Sequence, residues 1–258
     1  MSKASDLLPT LGSFMAKKSA TAFFDTWQTY RKVVAANYMY HVEIQADIER
    51  LLRARFGAGK VSFLDLGCGD AATLAPLLGG VTVQRYKGVD LSEAALALAA
   101  ENLKFLSCPV DLTCRDILAA LEAETELYDV VYTSFALHHL STEQKAAFFR
   151  LVAQRLAKDG VLVLTDVVRE DDESLPVYLT HYCDWLRRDW DGLDTDEKAA
   201  ICDHIENNDR PETLTELQSL AAAAGLADAA AVSGYGWHRV LRFQRAGETV
   251  SRDAGTHA

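Results

Sequence analysis

The chain has 258 residues, 49 % of them hydrophobic, with 26 Lys+Arg against 37 Asp+Glu for a formal charge of −11; this is a globular composition that excludes collagen, low-complexity disorder and disulfide-dense scaffolds. The excess negative charge repels polyanions, and short basic pairs such as Arg53/Arg55 and Arg187/Arg188 do not form a patch, so no nucleic-acid partner is expected. The longest uncharged stretch, Ala71 to Gln84, is interrupted by Pro76, Gly79 and Gly80 and falls short of the roughly 20 apolar residues of a membrane span, and Met1 to Thr10 lacks the basic and apolar regions of a secretory signal.

A cytoplasmic location with no membrane partner is therefore expected. Five cysteines (Cys68, Cys108, Cys114, Cys183, Cys202) with no CxxC spacing read as reduced thiols rather than a disulfide framework or zinc site. From about Ser19 to Phe56, Phe23, Trp27, Tyr30, Val34, Tyr38, Ile44, Ile48 and Leu51 recur at helical spacing and predict two helices, a cap over residues 1–57. Gly57-Ala58-Gly59 ends the cap, and Val61 to Leu66 reads as a buried strand running into a glycine-rich turn. Helices near 71–79, 92–104, 116–123 and 142–157 then alternate with strands at 84–90, 109–114, 127–133 and 160–168. Ser92 is a candidate N-cap, Ser141-Thr142-Glu143-Gln144 has capping-box spacing, and Gly160 suits a left-handed helix end.

Such alternation predicts a mostly parallel sheet covered by helices on both faces, with ligands at the carboxyl ends of the strands. The acidic, aromatic segment 169–210 interrupts the period and reads as a two-helix lid. A helix from Pro211 to Gly225 and a hairpin from about Asp228 to Phe243 complete a domain over 58–245, and 246–258 reads as a disordered tail.

The turn Asp65-Leu66-Gly67-Cys68-Gly69-Asp70-Ala71 lies between a strand and a helix, where missing side chains allow a ligand close to the backbone. Read as GxGxxA with Asp90 ending the next strand, it suits NAD and other adenosyl ligands alike. Three features separate them. Asp65 would repel a pyrophosphate but attract an ammonium; Asp116, after the third strand, can accept from an adenine amino group; and the fourth strand runs into Ser134-Phe135-Ala136-Leu137-His138-His139, a polar turn at the reactive end of the ligand.

In this order LDLGCGDAA (64–72), GVDLSEAALALAAENL (88–103), CRDIL (114–118), YDVVYTSFALHHLS (128–141) and LAKDGVLVLTDVV (156–168) resemble the class I S-adenosylmethionine-dependent methyltransferases. The resemblance covers about 61–168. It implies a three-layer, Rossmann-like α/β fold with a seven-stranded sheet whose last strand is antiparallel. It also implies S-adenosyl-L-methionine as cofactor, S-adenosyl-L-homocysteine as product, and a small-molecule acceptor methylated at O, N or C in a biosynthetic pathway. By position, Asp65, Gly67, Cys68 and Gly69 would surround the methionine moiety, Asp90 the ribose hydroxyls, Leu91, Asp116 and Ile117 the adenine, and Ser134 and Phe135 the sulfonium. Ala71 departs from the third glycine of many family members.

His138 and His139 are both candidates for a general base, in an order that the sequence leaves open. In the cap, Tyr30 is a candidate cofactor contact, and Tyr38 and His41 are candidates for the acceptor. In the lid and last hairpin Tyr178, His181, Tyr182, Trp185 and Tyr235 could line an acceptor pocket. Joining His138, His181, Asp184 and His204 gives no compact ligand spacing, so no metal is expected. The chain is expected to be a monomer or homodimer. Alternatives are an enzyme of this fold that uses another group of the cofactor, for example by cyclisation, and an NAD-dependent oxidoreductase.

Overall fold

The computed structural model describes residues 20–246; the expected tail, apart from Ala246, lies outside them. Two helices, α1 (Ala20–Ala35) and α2 (His41–Phe56), precede the sheet. There follow β1 (Lys60–Leu66), α3 (Ala75–Leu78), β2 (Thr82–Asp90), α4 (Glu93–Asn102), β3 (Val110–Cys114), α5 (Ile117–Ala123) and β4 (Tyr128–Ser134). A 3-10 turn (Leu137–His139) leads to α6 (Thr142–Arg155) and β5 (Leu156–Val167); the inserted helices α7 (Leu175–Asp189) and α8 (Thr195–Asn208) then precede α9 (Leu214–Ala223), β6 (Leu226–Tyr235) and β7 (His238–Arg245). None of the described helices is long and apolar enough to cross a membrane.

The seven strands run in the order β3-β2-β1-β4-β5-β7-β6, all parallel except β7. Period-two alternation sends successive side chains of each strand to opposite faces. Leu64, Leu66, Val131, Leu162 and Leu164 pack with Leu121 of α5, Phe148, Phe149 and Val152 of α6, and Leu217 of α9. Phe63, Val130, Val161 and Val163 pack on the other face with Ile44, Ile48 and Leu52 of α2, Leu77 of α3 and Ala99 of α4. The result is a three-layer α/β sandwich, as the alternation predicts. A third apolar cluster joins Val33 of α1 to Tyr178, Tyr182, Leu186 and Trp190 and to Cys202 and Ile205, so the cap and the inserted helices meet.

Local chemistry sets the helix ends. Ser92 caps α4 by accepting from Ala95 N, while Ser141/Gln144, Asp194/Glu197 and Thr213/Glu216 form reciprocal capping boxes at α6, α8 and α9. Gly225 follows α9 at φ +77°. Three expectations are corrected. The helix expected over 71–79 is reduced to α3, because Cys68 to Leu74 forms successive turns through Ala71 N→Cys68 O and Leu74 N→Ala71 O. Gly160 is not a left-handed cap: α6 ends at Arg155 and the chain passes directly into β5. Glycine is needed at 160 because a Cβ would meet Tyr128 O at 2.7 Å and Ala157 N at 2.9 Å. Pro211 precedes the Thr213 N-cap rather than opening α9.

From the adjacent central strands β1 and β4 the chain winds outward in opposite directions. This leaves a crevice at their carboxyl ends, where open α/β sheets bind ligands.

Candidate active site

A cavity of about 360 Å³ opens at this crevice, lined in part by Asp65, Gly67, Cys68 and Gly69 after β1, Asp90 and Ser92 after β2, and Ser134, Phe135 and His139 after β4. The glycine turn is tied to β2 by Gly67 N and Cys68 N, both donating to Val89 O at 2.8 and 3.0 Å. Gly67 has φ +77°, and a Cβ there would come within 2.8 Å of Ala136 Cβ, so the turn accepts only glycine against the β4 loop. Ala71 adopts φ +55°, a left-handed conformation that the usual third glycine would take without strain.

Two carboxylates face this turn. Asp90 accepts from Gly69 N (2.9 Å) and Ser92 N (2.8 Å), which fixes it at the tip of β2. Burial raises its pKa, against the lowering effect of these two bonds. Asp65 is buried and accepts from the Tyr86 hydroxyl at 2.6 Å; burial pushes its carboxyl up to about 7, with Asp90 adding to the rise and the Tyr86 bond opposing it. Burial, together with Asp65 and Asp90, also raises the Cys68 thiol, which stays protonated and unreactive.

The 3-10 turn resolves the order of the histidines. His138 is buried beneath the cavity, where its backbone N donates to Asp166 Oδ2 (3.0 Å) and its Nδ1 pairs with Asp166 Oδ1. Its Nε2 lies 3.7 Å from Asp209 Oδ1. Burial alone would lower this imidazole, but Asp166 and Asp209 outweigh it and hold the pKa at about 9. His139 reaches the cavity wall, and burial followed by the charge of His138 lowers its pKa. His139 is thus neutral and faces the ligand space, whereas His138 is a cation that cannot accept a proton at neutral pH.

The roof supplies Tyr30 from α1, whose hydroxyl is pushed up to about 12 by burial and by Asp70, and His204 from α8. Other expected contacts stand elsewhere. Leu91 is 43 % exposed, Ile117 is in the core, and Asp116 caps α5 by accepting from Leu118 N and Ala119 N. Tyr38 stacks on Trp190 with ring centroids 5.0 Å apart, and His41 sits behind Phe135, 5.3 Å from its ring. Tyr178, Tyr182 and Trp185 pack among themselves and with Trp237, so their apolar area is spent on holding α7 in place. His181 is exposed and contacts Glu173, and Tyr235 donates to Asp47 at 2.7 Å.

None of these ten side chains lines the described cavity. Asp70, Thr73, Leu74, Ala95, Tyr132 and His204 do, and sequence reading passed them over as site residues. Asp70 lies within the glycine motif and was legible there. Tyr132 follows from strand alternation only once the exposed end of β4 is known.

A family model described as "Methyltransferase domain" matches residues 63–160. A carboxy-S-adenosyl-L-methionine synthase of Idiomarina loihiensis is 30 % identical over 170 residues, which are 62 % of this chain and 67 % of that protein. Among solved structures, magnesium protoporphyrin IX methyltransferase from Synechocystis PCC 6803, with S-adenosylmethionine bound, has a TM-score of 0.61 at 16 % identity and covers 93 % of this chain and 100 % of its own. A cyclopropane synthase from Mycobacterium tuberculosis has a TM-score of 0.51 at 18 % identity, over 69 % and 59 % of the two chains. With the glycine turn, Asp90 and the β4 turn converging on one crevice, these matches identify the chain as a member of the class I S-adenosyl-L-methionine-dependent methyltransferases.

Proposed function

We propose that the protein transfers the methyl group of S-adenosyl-L-methionine to a small-molecule acceptor. The observation that carries this reading is the single cavity shared by the glycine turn, Asp90, Ser134-Phe135 and His139 beneath Tyr30. The residues fit the cofactor: the turn has room only where glycine lacks a Cβ, Asp65 offers a buried carboxyl for an ammonium, and Asp90 is held with its oxygens at the strand tip.

When bound, the cofactor supplies an electrophilic methyl on a sulfonium. Asp65 then pairs with the ammonium, Asp90 orients the ribose, and Phe135, fixed by its N–H donating to Thr165 O (2.9 Å), limits the path to the methyl. Holding acceptor and methyl in line is the main catalytic effect, worth several kcal/mol. Without a bound ion, neutral His139 at the cavity wall is the group of this corner that can take an acceptor's proton. The cavity's volume and the cap and inserted helices packed together beside it support a small acceptor.

A second reading is favoured by the relatives named carboxy-S-adenosyl-L-methionine synthase: a carboxyl group would be installed on the cofactor. A carboxylate in this cavity would need a cationic partner. The described lining has Asp65, Asp70 and Asp90 with two imidazoles and no Lys or Arg, which supports the sulfonium methyl as the group handled. Calorimetric titration with S-adenosylhomocysteine, with NAD⁺ as control, tests the cofactor site; product mass spectra distinguish a methylated acceptor from a carboxylated cofactor. At about 100 times Kd, S-adenosylhomocysteine should stabilise the protein by roughly 2.7 kcal/mol. Absence of heat and of thermal stabilisation would sink the proposal.

A further inference from the structure

Below the cavity wall His138, His139 and Asp209 bring one potential ligand atom each to within 4.8 Å of one another. His139 Nδ1 lies 3.3 Å and His138 Nε2 3.7 Å from Asp209 Oδ1. Two ligands on a tetrahedral ion at about 2.0–2.1 Å stand about 3.4 Å apart, so the spacing already fits a small cation. Asp209 is 5 % exposed, and its Oδ1 and the buried Nδ1 of His139 face each other at 3.3 Å out of line for a good hydrogen bond, with no other hydrogen-bond partner for either. Buried polar atoms are rarely left unpaired, and an ion would satisfy both at once.

The surroundings have the form of a metal site's outer shell. Asp166 takes the Nδ1 of His138 and receives N–H bonds from His138 and Val167, which fixes the ring with Nε2 toward Asp209. A carboxylate on the far nitrogen is the usual support of a ligating imidazole. Asp209 is delivered by a braced segment: Arg210 N donates to His138 O at 2.7 Å, and the Lys145 ammonium bonds Arg210 O and Glu212 Oε1. Lys145 and Arg169 are further cations of this corner, and Glu212 pairs with both.

We infer that His138, with its Nε2 proton displaced by the ion, His139 and Asp209 bind a divalent transition-metal ion beside the methyl-transfer cavity. Two imidazoles and one carboxylate suit zinc, iron(II) or cobalt(II) better than magnesium or calcium. Resting on the methyl-transfer reading, the site selects an acceptor with a hydroxyl that ligates the ion. The O–CH3 bond then forms as the S–CH3 bond breaks, sulfur keeps the bonding pair, and the hydroxyl proton leaves to solvent.

The test is titration of chelator-stripped protein with Co²⁺, read by visible ligand-field absorption, beside S-adenosylhomocysteine binding by calorimetry. Expected are one Co²⁺ per chain, displaced by Zn²⁺, and a Kd raised at least tenfold in both Asp209→Asn and His139→Gln but unchanged in His181→Gln, an exposed histidine away from the cluster. S-adenosylhomocysteine binding by His139→Gln shows that this variant is folded. No ligand-field band, or equal Co²⁺ affinity in all the variants, overturns the inference. Failure of S-adenosylhomocysteine to bind, with Co²⁺ still bound, would instead count against the cofactor reading alone.

Discussion

Asp65 is half ionised near neutral pH, because burial holds its carboxyl at about 7. An ammonium placed beside it lowers that value and drives out the proton. S-adenosylhomocysteine binding at pH 7 should therefore release up to about half a proton per chain, measured as the dependence of binding enthalpy on buffer ionisation heat. Asp65→Asn should bind without proton release and at least tenfold more weakly. Asp65, Gly67, Asp90 and His139 were legible because each lies in a contiguous strand-turn motif whose chemistry is local. Asp209 was not, since it arrives after the inserted helices and only the fold brings it beneath His139. The aromatic residues of α7 misled because side chains able to line a pocket are equally able to fill a core, and here Tyr178 and Tyr182 are buried.

Among the elements, the strands were the more legible, since buried parallel strands are continuous apolar runs with period-two alternation. The helix after the glycine turn was overestimated because an apolar stretch such as Ala71 to Leu78 does not show where turns replace helix. Asp116 illustrates a residue whose position suited two roles. Its carboxylate caps α5 through Leu118 N and Ala119 N. Asp116→Ala should cost about 1 kcal/mol of stability in denaturant unfolding, whereas Asp116→Asn should keep the cap. If Asp116→Asn nevertheless weakens S-adenosylhomocysteine binding, the carboxylate also accepts from the adenine; unchanged affinity limits it to the cap.

For the whole molecule, buried titratable groups shape stability against pH. Burial lowers His41 and His238 from 6.5 to about 4. Between those values the unfolded chain binds protons that the folded chain refuses, so stability falls as pH drops from 6.5 toward 4. Each histidine contributes a slope of up to about 1.4 kcal/mol per pH unit. Asp65 acts in the opposite sense, because its pKa rises from 3.8 to about 7 and the folded chain keeps its proton over the same window. His139, also lowered, adds to the histidines' side and Asp90, also raised, to that of Asp65, and His41→Gln should flatten the slope. Unfolding midpoints at pH 5 and 6.5 measure this, and an unaltered slope in His41→Gln would show that His41 is not held neutral.

The helical layer over the sheet has a consequence for synthesis. Ile44, Ile48 and Leu52 of α2 share a core with Val240 of β7, and Asp47 meets Tyr235 across 188 residues of chain. On the ribosome, α2 emerges before any of the sheet, and the strands that complete its burial are made last. At 5–20 residues per second the delay is roughly 10–40 s. Throughout that interval the apolar face of α2 is only partly covered by the elements already made, such as β1 with Phe63 and α3 with Leu77, so the vulnerable period for aggregation ends only when β6 and β7 leave the exit tunnel.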